Sequence, residues 1–302
     1  MIVSDNNDGI RLDKYLSLQY SEHSRSYLKN LISDGKVTVN GKEVLKGSFI
    51  VSAGDEIEFE LPPVQELSVE EEDIPLDILY EDNDVLVINK PKNMVVHPAA
   101  GHSSGTLVNA VLFHCKGNLS GINGVLRPGI VHRIDKDTTG SVIICKNDKS
   151  HQSIAKQLKD HSINRIYHAI VYGIIDNDEG TIKGSIGRST VDRKKMAINE
   201  KNGKPAVTHY KVLKRFSTDK MTYIACKLET GRTHQIRVHM ASIGHPLLGD
   251  EVYAGNRKTK FKLEGQCLHA KILGFVHPTT GEYVETDAPL PEYFEHLLEI
   301  LK

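Results

Sequence analysis

The chain has 302 residues, 39% of them hydrophobic, and a formal net charge of -1 at pH 7, and this length favours two domains over one. No apolar run approaches the roughly 18 residues of a membrane span, and the N-terminus lacks the basic start and apolar core of a signal peptide, so we expect a cytoplasmic protein without membrane attachment. The four cysteines stand singly, which argues against a disulfide framework or a zinc site: Cys115, Cys145, Cys226 and Cys267.

The near-neutral total charge conceals two regions of opposite sign. Residues 66–84 contain nine acidic residues and no lysine or arginine, whereas residues 188–215 contain nine basic residues and two acidic ones. A basic surface is what binding to nucleic-acid phosphates requires. A charged run is also typical of an ordinary solvated surface, so charge alone does not decide between the two interpretations.

Residues 10–62 predict a small αα-β unit. Two apolar stripes with helical spacing predict a pair of helices, the second with Ser24 as its N-cap and Gly35 just past its end. Asn40-Gly41 follows an alternating segment and is a strong signal for a two-residue hairpin turn. Residues 57–61 alternate again and predict a further strand.

Basic residues are distributed through this unit, and few of them fall on its apolar stripes, so they can form one charged face. The unit resembles the S4-like RNA-binding domain, in which two short helices and a hairpin present a basic surface to structured RNA. We assign it to residues 1–65; the alternative is a helical cap with ordinary surface lysines. The predicted RNA contacts are Arg11, Lys14, Arg25, Lys29 and Lys42.

Residues 66–84 predict an acidic linker, because the segment is too charged and too poor in apolar residues to pack a core of its own. From residue 85 to residue 302 short apolar strands alternate with helical windows. The helix in "TLVNAVLFHC" is predicted to open at Thr106, and the helix in "RTHQIRVHMASIG" to end at Gly244. This pattern predicts an α+β domain on a largely antiparallel mixed sheet.

The segment "IVHRIDKDTTG" is the first that indicates chemistry. An apolar pair entering a strand end is followed by charged residues and a turn, which places Asp135 on a rigid, exposed support. A carboxylate in such a place can act as a nucleophile at the anomeric carbon of a sugar. For an isolated aspartate, capping of the turn is the commoner role.

Two further segments favour the chemical interpretation. "RIYHAIVYG" places Tyr167 on a strand with a ring available for stacking, and "LETGRTHQIRVHM" carries Arg232 and Arg237. An aromatic ring, a carboxylate and an arginine are the groups that a flipped pyrimidine nucleotide needs, because the ring stacks on the extruded base and the arginine stabilises the ionised carboxylate.

Together these segments resemble the RluA/RluD family of RNA pseudouridine synthases, most closely the members that modify large-subunit ribosomal RNA. "HRIDKDTTG" matches the family signature H-R-L-D-x-x-T-[TS]-G, with Ile134 where leucine is usual. The other family blocks follow in the expected order: "VINKPKNMVVHPAAG", "RIYHAIVYG", "GRTHQIRVHMASIGHPLLGD" and "LHAKILGFVHP".

The resemblance implies a role for each matching residue. Asp135 is expected to be the catalytic nucleophile and Arg237 to pair with it, while Tyr167 stacks on the target base and Arg133 enters the RNA stack in place of the flipped uridine. Further RNA-binding residues are expected to be His132, Thr139, Arg232, Thr233 and His234.

The implied reaction breaks the N1-glycosidic bond of uridine, turns the bound uracil and joins C5 to the same sugar carbon. It requires no cofactor and no metal.

Three alternatives stay open: a synthase directed to transfer RNA, an RNA N-glycosylase using Asp135 and Asp137, and a non-catalytic RNA-binding module. The partner is expected to be RNA, most simply 23S ribosomal RNA or its precursor, and the protein a monomer. The modified uridines and the chemical step taken by Asp135 cannot be read from the sequence.

Overall fold

The computed structural model divides the chain into two compact units, Met1–Glu66 and Leu67–Lys302. The residues that it describes are 1–20, 25–59, 69–98, 104–116, 118–122, 128–192, 195–257 and 259–302, without the side chains of residues 25–27 and 30. No helix within these ranges is long and apolar enough to cross a membrane.

The first unit consists of two helices and a three-stranded antiparallel sheet of order β2-β1-β3. A short 3-10 helix, Asp5–Asn7, precedes them. The elements are α1 Leu12–Gln19, α2 Arg25–Ser33, β1 Val37–Val39, β2 Lys42–Glu43 and β3 Ile57–Phe59. This arrangement confirms the predicted αα-β unit.

Local turn chemistry determines how α2 ends and how β1 reverses into β2. Gly35 has φ +73°, and the N–H of Lys36 donates to the carbonyl oxygen of Leu31 at 3.0 Å, as in a Schellman motif. Asn40 and Gly41 have φ of 51° and 71°, the left-handed conformation that both central residues of a type I′ hairpin adopt. The predicted N-cap Ser24 lies outside the described residues.

The second unit is built on one ten-stranded sheet with helices packed on it. Its elements are β4 Ile78–Glu81, β5 Val85–Lys90, α3 Leu107–Cys115, β6 Thr139–Cys145, α4 Asp148–Lys159, β7 Asn164–Tyr172, β8 Glu179–Arg188, β9 Met196–Ile198, β10 Lys204–Phe216, β11 Met221–Leu228, α5 Gln235–Ser242, β12 Leu268–Val276, β13 Tyr283–Asp287 and α6 Glu292–Ile300.

The sheet has the strand order β4-β5-β6-β12-β7-β11-β10-β8-β9, and β13 pairs with β12. Only the β6–β12 pair is parallel among these strands; the others are antiparallel, which confirms the predicted α+β fold on a largely antiparallel mixed sheet. The helix α3 begins after Thr106, whose hydroxyl accepts from the N–H of Asn109 in a capping box, as predicted. The four cysteines are free and buried.

Residues 69–84 do not form the linker that was predicted over residues 66–84. The strand β4 is the edge of the large sheet, and Val69, Ile74 and Leu76 pack against the core of the second unit. The acidic residues of the segment stand between these apolar positions, so the high charge density concealed a one-sided apolar pattern. This stretch is part of the second unit, which begins before residue 85.

The parallel contact between β6 and β12 depends on a glycine. Gly140 has φ +105°, and a Cβ atom built on it would overlap the backbone of Ala270. A side chain at this position is therefore excluded both by backbone conformation and by space. The contact matters for the site because β6 begins at Thr139, directly after the turn that carries Asp135.

We expect Gly140→Ala to lower the free energy of unfolding by about 1 to 3 kcal/mol through backbone strain alone, with a further loss from the displaced β12. Thermal or urea unfolding measures this. Gly121→Ala is the matched control, since Gly121 has no atom within 4 Å of its built Cβ and its substitution should change stability by less than about 0.5 kcal/mol. Equal losses in the two variants would contradict this account of the β6–β12 contact.

Candidate active site

Asp135 lies at the start of a tight turn that leads into β6. Ile134 is buried in the core beside it, and the N–H of Thr138 donates to the carbonyl oxygen of Asp135 at 3.1 Å. The side chain of Asp135 keeps 22% exposure. The turn thus fixes the backbone and leaves the carboxylate accessible, as predicted. The predicted strand before Asp135 is wrong within the described residues 128–138: Ile130 makes only an isolated bridge to Ile144, and β6 begins at Thr139, inside the predicted turn.

Lys90, the last residue of β5, holds this turn from inside the protein. Its side chain is fully buried, and Nζ donates to the carbonyl oxygens of Pro91 at 2.7 Å, Met94 at 2.8 Å and Lys136 at 3.0 Å. Burial lowers the pKa of Lys90 to about 7, and the charges of Asp137 and Asp135 oppose the shift. The three carbonyl oxygens match the three N–H groups of an ammonium, so one side chain ties the turn to the end of β5.

Arg237 connects Asp135 to a second, buried carboxylate. Its Nη1 donates to Oδ2 of Asp135 at 2.9 Å, the pairing that the family resemblance implies. On its other side Nε and Nη2 donate to the two carboxylate oxygens of Asp250 at 2.7 and 2.9 Å. Burial disfavours the charge of Arg237, but the hydrogen bonds and charges of Asp250 and Asp135 outweigh burial and raise its pKa.

Asp250 is itself held by the backbone. Its side chain is fully buried, and Oδ1 also accepts from the N–H groups of Val252 and Tyr253, each at 3.0 Å. The bidentate pair and the two N–H groups leave Asp250 without freedom to rotate. Asp250 therefore orients Arg237, and Arg237 orients Asp135.

The start of α5 is anchored to β10, which places Arg237 two residues further along the helix. Gln235 donates from Nε2 to the Val207 carbonyl at 2.9 Å and to the Thr208 hydroxyl at 3.0 Å. Its Oε1 accepts from the N–H of Arg232 at 2.9 Å. The buried amide thereby fixes both the helix and the loop that enters it.

His234 and Tyr253 complete the surroundings of Asp135. The hydroxyl of Tyr253 accepts from the N–H of Met196 at 2.9 Å and lies 2.8 Å from Nδ1 of His234, so its proton is available to that nitrogen. The proton of a neutral His234 is then on Nε2, which faces Oδ2 of Asp135 at 3.8 Å. Burial lowers the pKa of His234, although the charge of Asp135 opposes the shift.

These groups open onto a cleft, which we call the basic cleft. A small cavity of about 60 Å³ is lined by Asp135, Tyr167 and Arg237 with apolar side chains such as Leu228. It adjoins a wider space of about 480 Å³ that shares Asp135 and Tyr167 and whose basic lining residues are Arg133, Lys159, Arg165 and Arg232. Tyr167 is 8% exposed, and burial raises the pKa of its hydroxyl.

The predicted site residues of the second unit fall into two groups. Arg133, Arg232, Thr233 and His234 line the basic cleft together with Asp135 and Tyr167. Arg133 is exposed and places Nη1 3.2 Å from Nε2 of His97, while Nε of Arg232 donates to the Pro205 carbonyl at 3.0 Å. These residues meet in space as the motifs predicted, although their roles stay predictions.

The expected RNA contact of Thr139 is wrong. Thr139 is 3% exposed, and its hydroxyl lies 2.8 Å from Nδ1 of the buried His269, because β6 is covered on both faces. His132 lines the cleft, but its Nε2 accepts from the N–H of Ile143 at 3.0 Å. Burial, with a smaller effect of the Arg165 charge, lowers the pKa of His132 to about 3, so it is a neutral structural acceptor.

The geometry of the basic cleft does not test the RNA contacts that were predicted in the first unit. Lys14, Lys29 and Lys42 are exposed. Arg11 makes a bidentate pair with the buried Asp13, with two hydrogen bonds of 3.0 Å, which leaves less of its guanidinium for RNA. The side chain of Arg25 lies outside the described residues.

The residues of the site that were missed from the sequence include Lys90, Asp250 and Tyr253, and also Gln235, Lys159 and Arg165. Lys90 and Asp250 lie inside the quoted family blocks "VINKPKN" and "GHPLLGD", which was the available signal. Their contacts are made across the fold, so no local pattern revealed them. Within the described residues no three His, Cys, Asp or Glu side chains group together as a metal site.

Two family models match the chain. Residues 84–242 match the model described as RNA pseudouridylate synthase, and residues 10–57 match the S4 domain. The first match contains Asp135, Tyr167 and Arg237, and ends before Asp250.

Relatives match over nearly the whole length. An uncharacterized RNA pseudouridine synthase of Bacillus subtilis, YlyB, is 51% identical over 99% of this chain and 97% of its own. The ribosomal large subunit pseudouridine synthase D of Zymomonas mobilis is 48% identical over 97% of this chain and 94% of its own. The solved structure of human RNA pseudouridylate synthase domain containing 1 superposes with a TM-score of 0.58 at 28% identity, over 76% of this chain and 87% of that one.

We expect Asp250→Asn to lower the free energy of unfolding by about 3 to 5 kcal/mol, because it removes the charge that balances a buried guanidinium. Chemical unfolding at neutral pH measures this. The matched control is Asp178→Asn, since Asp178 pairs with Arg215 at 2.7 Å but is 85% exposed; solvent screening makes such a pair weak, and its loss should change stability little. A tolerated Asp250→Asn would show that Asp250 does not anchor the site.

Proposed function

Since this chain belongs to the RNA pseudouridylate synthase family, we propose that its substrate is large-subunit ribosomal RNA and that Asp135 is the nucleophile. It is an isomerase that converts uridine in RNA to pseudouridine. The ribosomal substrate is supported by relatives named ribosomal large subunit pseudouridine synthase D that match 97% of this chain at 48% and 46% identity.

The observation that carries the assignment of Asp135 is its pairing with Arg237 at 2.9 Å at the base of the basic cleft. Asp135 is the one carboxylate among the described residues that line this cleft. A carboxylate so placed can attack the sugar carbon of a bound uridine, which breaks the N1-glycosidic bond and leaves the detached uracil in the cavity, or it can add to C6 of the base, which then stays bonded to Asp135 while the glycosidic bond breaks. Arg237 stabilises the carboxylate whenever it is released and charged.

Tyr167 and the apolar wall suit a base removed from its stack. The ring of Tyr167 is nearly buried beside Leu228 and Leu268, which line the same small cavity. Flipping a base costs a few kcal/mol, and stacking on a protein ring recovers about 1 to 3 kcal/mol per base. Arg133, exposed at the mouth of the cleft, is suited to fill the gap that the flipped uridine leaves.

The S4 domain adds a second RNA-binding surface, for which we propose Lys14, Lys29 and Lys42 as phosphate contacts. The protein is proposed to act as a monomer in the cytoplasm, where ribosomal RNA of bacteria is made and assembled. Transfer RNA remains the second candidate substrate, because the cleft is suited to a flipped uridine and does not indicate the RNA or the position from which that uridine comes.

We expect Asp135→Asn to abolish tritium release from ribosomal RNA transcribed with 5-tritiated uridine, while RNA affinity stays within about threefold of the wild type. Asp137→Asn is the matched control: Asp137 lies against Gly265 and is not among the lining residues of the cleft, so it should release tritium. Free uracil in the wild-type reaction would indicate an N-glycosylase instead. Unchanged release by Asp135→Asn would remove Asp135 from the role of nucleophile.

We expect the triple variant Lys14→Ala, Lys29→Ala, Lys42→Ala to raise KM at least fivefold and to change kcat less than twofold, because the three exposed lysines contribute affinity and not chemistry. Steady-state tritium release at two salt concentrations measures both constants. A comparable triple variant in the second unit, Lys156→Ala, Lys211→Ala, Lys227→Ala, controls for total charge. A fall in kcat with an unchanged KM would show that the first unit serves catalysis directly.

A further inference from the structure

Arg165 is a buried cation in the wall of the basic cleft. It lies on β7 two residues before Tyr167, so the two side chains share one face of the sheet. Arg165 is 7% exposed, and a Cβ atom built on Gly231 would lie 2.8 Å from its Nη1. The Nη1 end of the guanidinium therefore packs against the glycine of the "TGRTHQ" loop, and Arg165 borders the space that Asp135 also borders.

The guanidinium of Arg165 lacks the partners that a buried charge requires. Within the described part of the chain it has no carboxylate at ion-pair distance, and its buried Nε has no hydrogen-bond partner. Its contact with a protein acceptor is the Glu229 carbonyl, 3.4 Å from Nη2, which is long for a hydrogen bond.

Two other arginines of the same unit show the usual solution. Arg237, with 7% side-chain exposure, pairs with both Asp250 and Asp135. Arg215, with 31% side-chain exposure, donates to Asp178 and to the carbonyl oxygen of Ile175 at 2.7 Å each. Arg165 is as buried as Arg237 and has fewer partners than Arg215.

An arginine side chain stays charged in proteins, and burying an unpaired charge is unfavourable by several kcal/mol. A site that keeps such a charge accessible from a cleft is prepared for an anion from outside the chain. The anion must also carry oxygens for the free edge of the guanidinium, which presents parallel N–H groups matched to phosphate or carboxylate. RNA supplies phosphate and no carboxylate.

We propose that Arg165 is the buried part of a binding site for one backbone phosphate of the nucleotide that occupies the basic cleft. The exposed Lys159 and the half-buried Arg232 line the same space and form the outer part of this site. A phosphate held here fixes the sugar of the target nucleotide relative to Asp135 and Tyr167. The proposal rests on the proposed function, because it takes RNA as the ligand.

The test compares Arg165→Met with Arg215→Met, which removes a positive charge outside the cleft. RNA affinity is measured for a transcript of large-subunit ribosomal RNA over a range of KCl concentrations. One lost phosphate contact reduces the slope of log affinity against log salt by about 1. We expect Arg165→Met to show this reduction in slope, with an affinity about tenfold weaker at low salt. Arg165→Lys should have the slope of the wild type. Arg215→Met should match the wild type in both slope and affinity.

Thermal unfolding without RNA separates this role from a structural one. Removing an unpaired buried charge should leave the melting temperature of Arg165→Met equal to or above that of the wild type. A lower melting temperature together with an unchanged salt slope would make Arg165 a structural residue and overturn the proposal.

Tritium release by the wild type, measured on the same transcript, tests the proposed function separately. If the wild type releases tritium and the salt slope of Arg165→Met is unchanged, the phosphate site is overturned and the proposed function stands. If the salt slope of Arg165→Met is reduced but the wild type releases no tritium, the phosphate site stands and the proposed reaction on this RNA is overturned.

Discussion

The guanidinium of Arg237, held between two carboxylates, is the interaction on which the rest of the site depends. Asp250 is saturated by two hydrogen bonds from Arg237 and two from the backbone, so its position is set by the fold. Asp250 in turn positions Arg237, whose Nη1 donates to Asp135. The negative charge left over in this chain of three groups therefore resides on the carboxylate that faces the cleft.

This order of dependence explains why the site draws on distant parts of the chain. The turn that carries Asp135 is fixed from inside by Lys90, and α5 is fixed on β10 by Gln235. The close parallel contact between β6 and β12 at Gly140 fixes the strand into which the turn leads. Lys90 and Gln235 are buried polar groups with matched partners, which makes these two anchors specific in direction as well as in distance.

The basic cleft shows how a chain of nearly zero net charge can take up RNA. Its lining residues include five lysine or arginine side chains and one carboxylate, Asp135, while acidic residues concentrate in segment 69–84, which contains the edge strand β4. Cations without counter-charges in the free protein lower its stability and raise its affinity for an anion. Arg165 fits this compromise, because it has fewer partners than its burial requires.

The sequence by itself determined everything that depends on near neighbours. Helix starts, helix ends and tight turns follow from residues a few positions apart, as at Thr106 and Asn40-Gly41, and the motif order identified the family and placed Asp135, Tyr167 and Arg237 together. Only the tertiary structure decided that Asp250 orients the site, that Thr139 faces inward and that residues 69–84 complete the sheet. These outcomes depend on which face of a strand or loop is covered by elements far away in the chain, and no local periodicity records that.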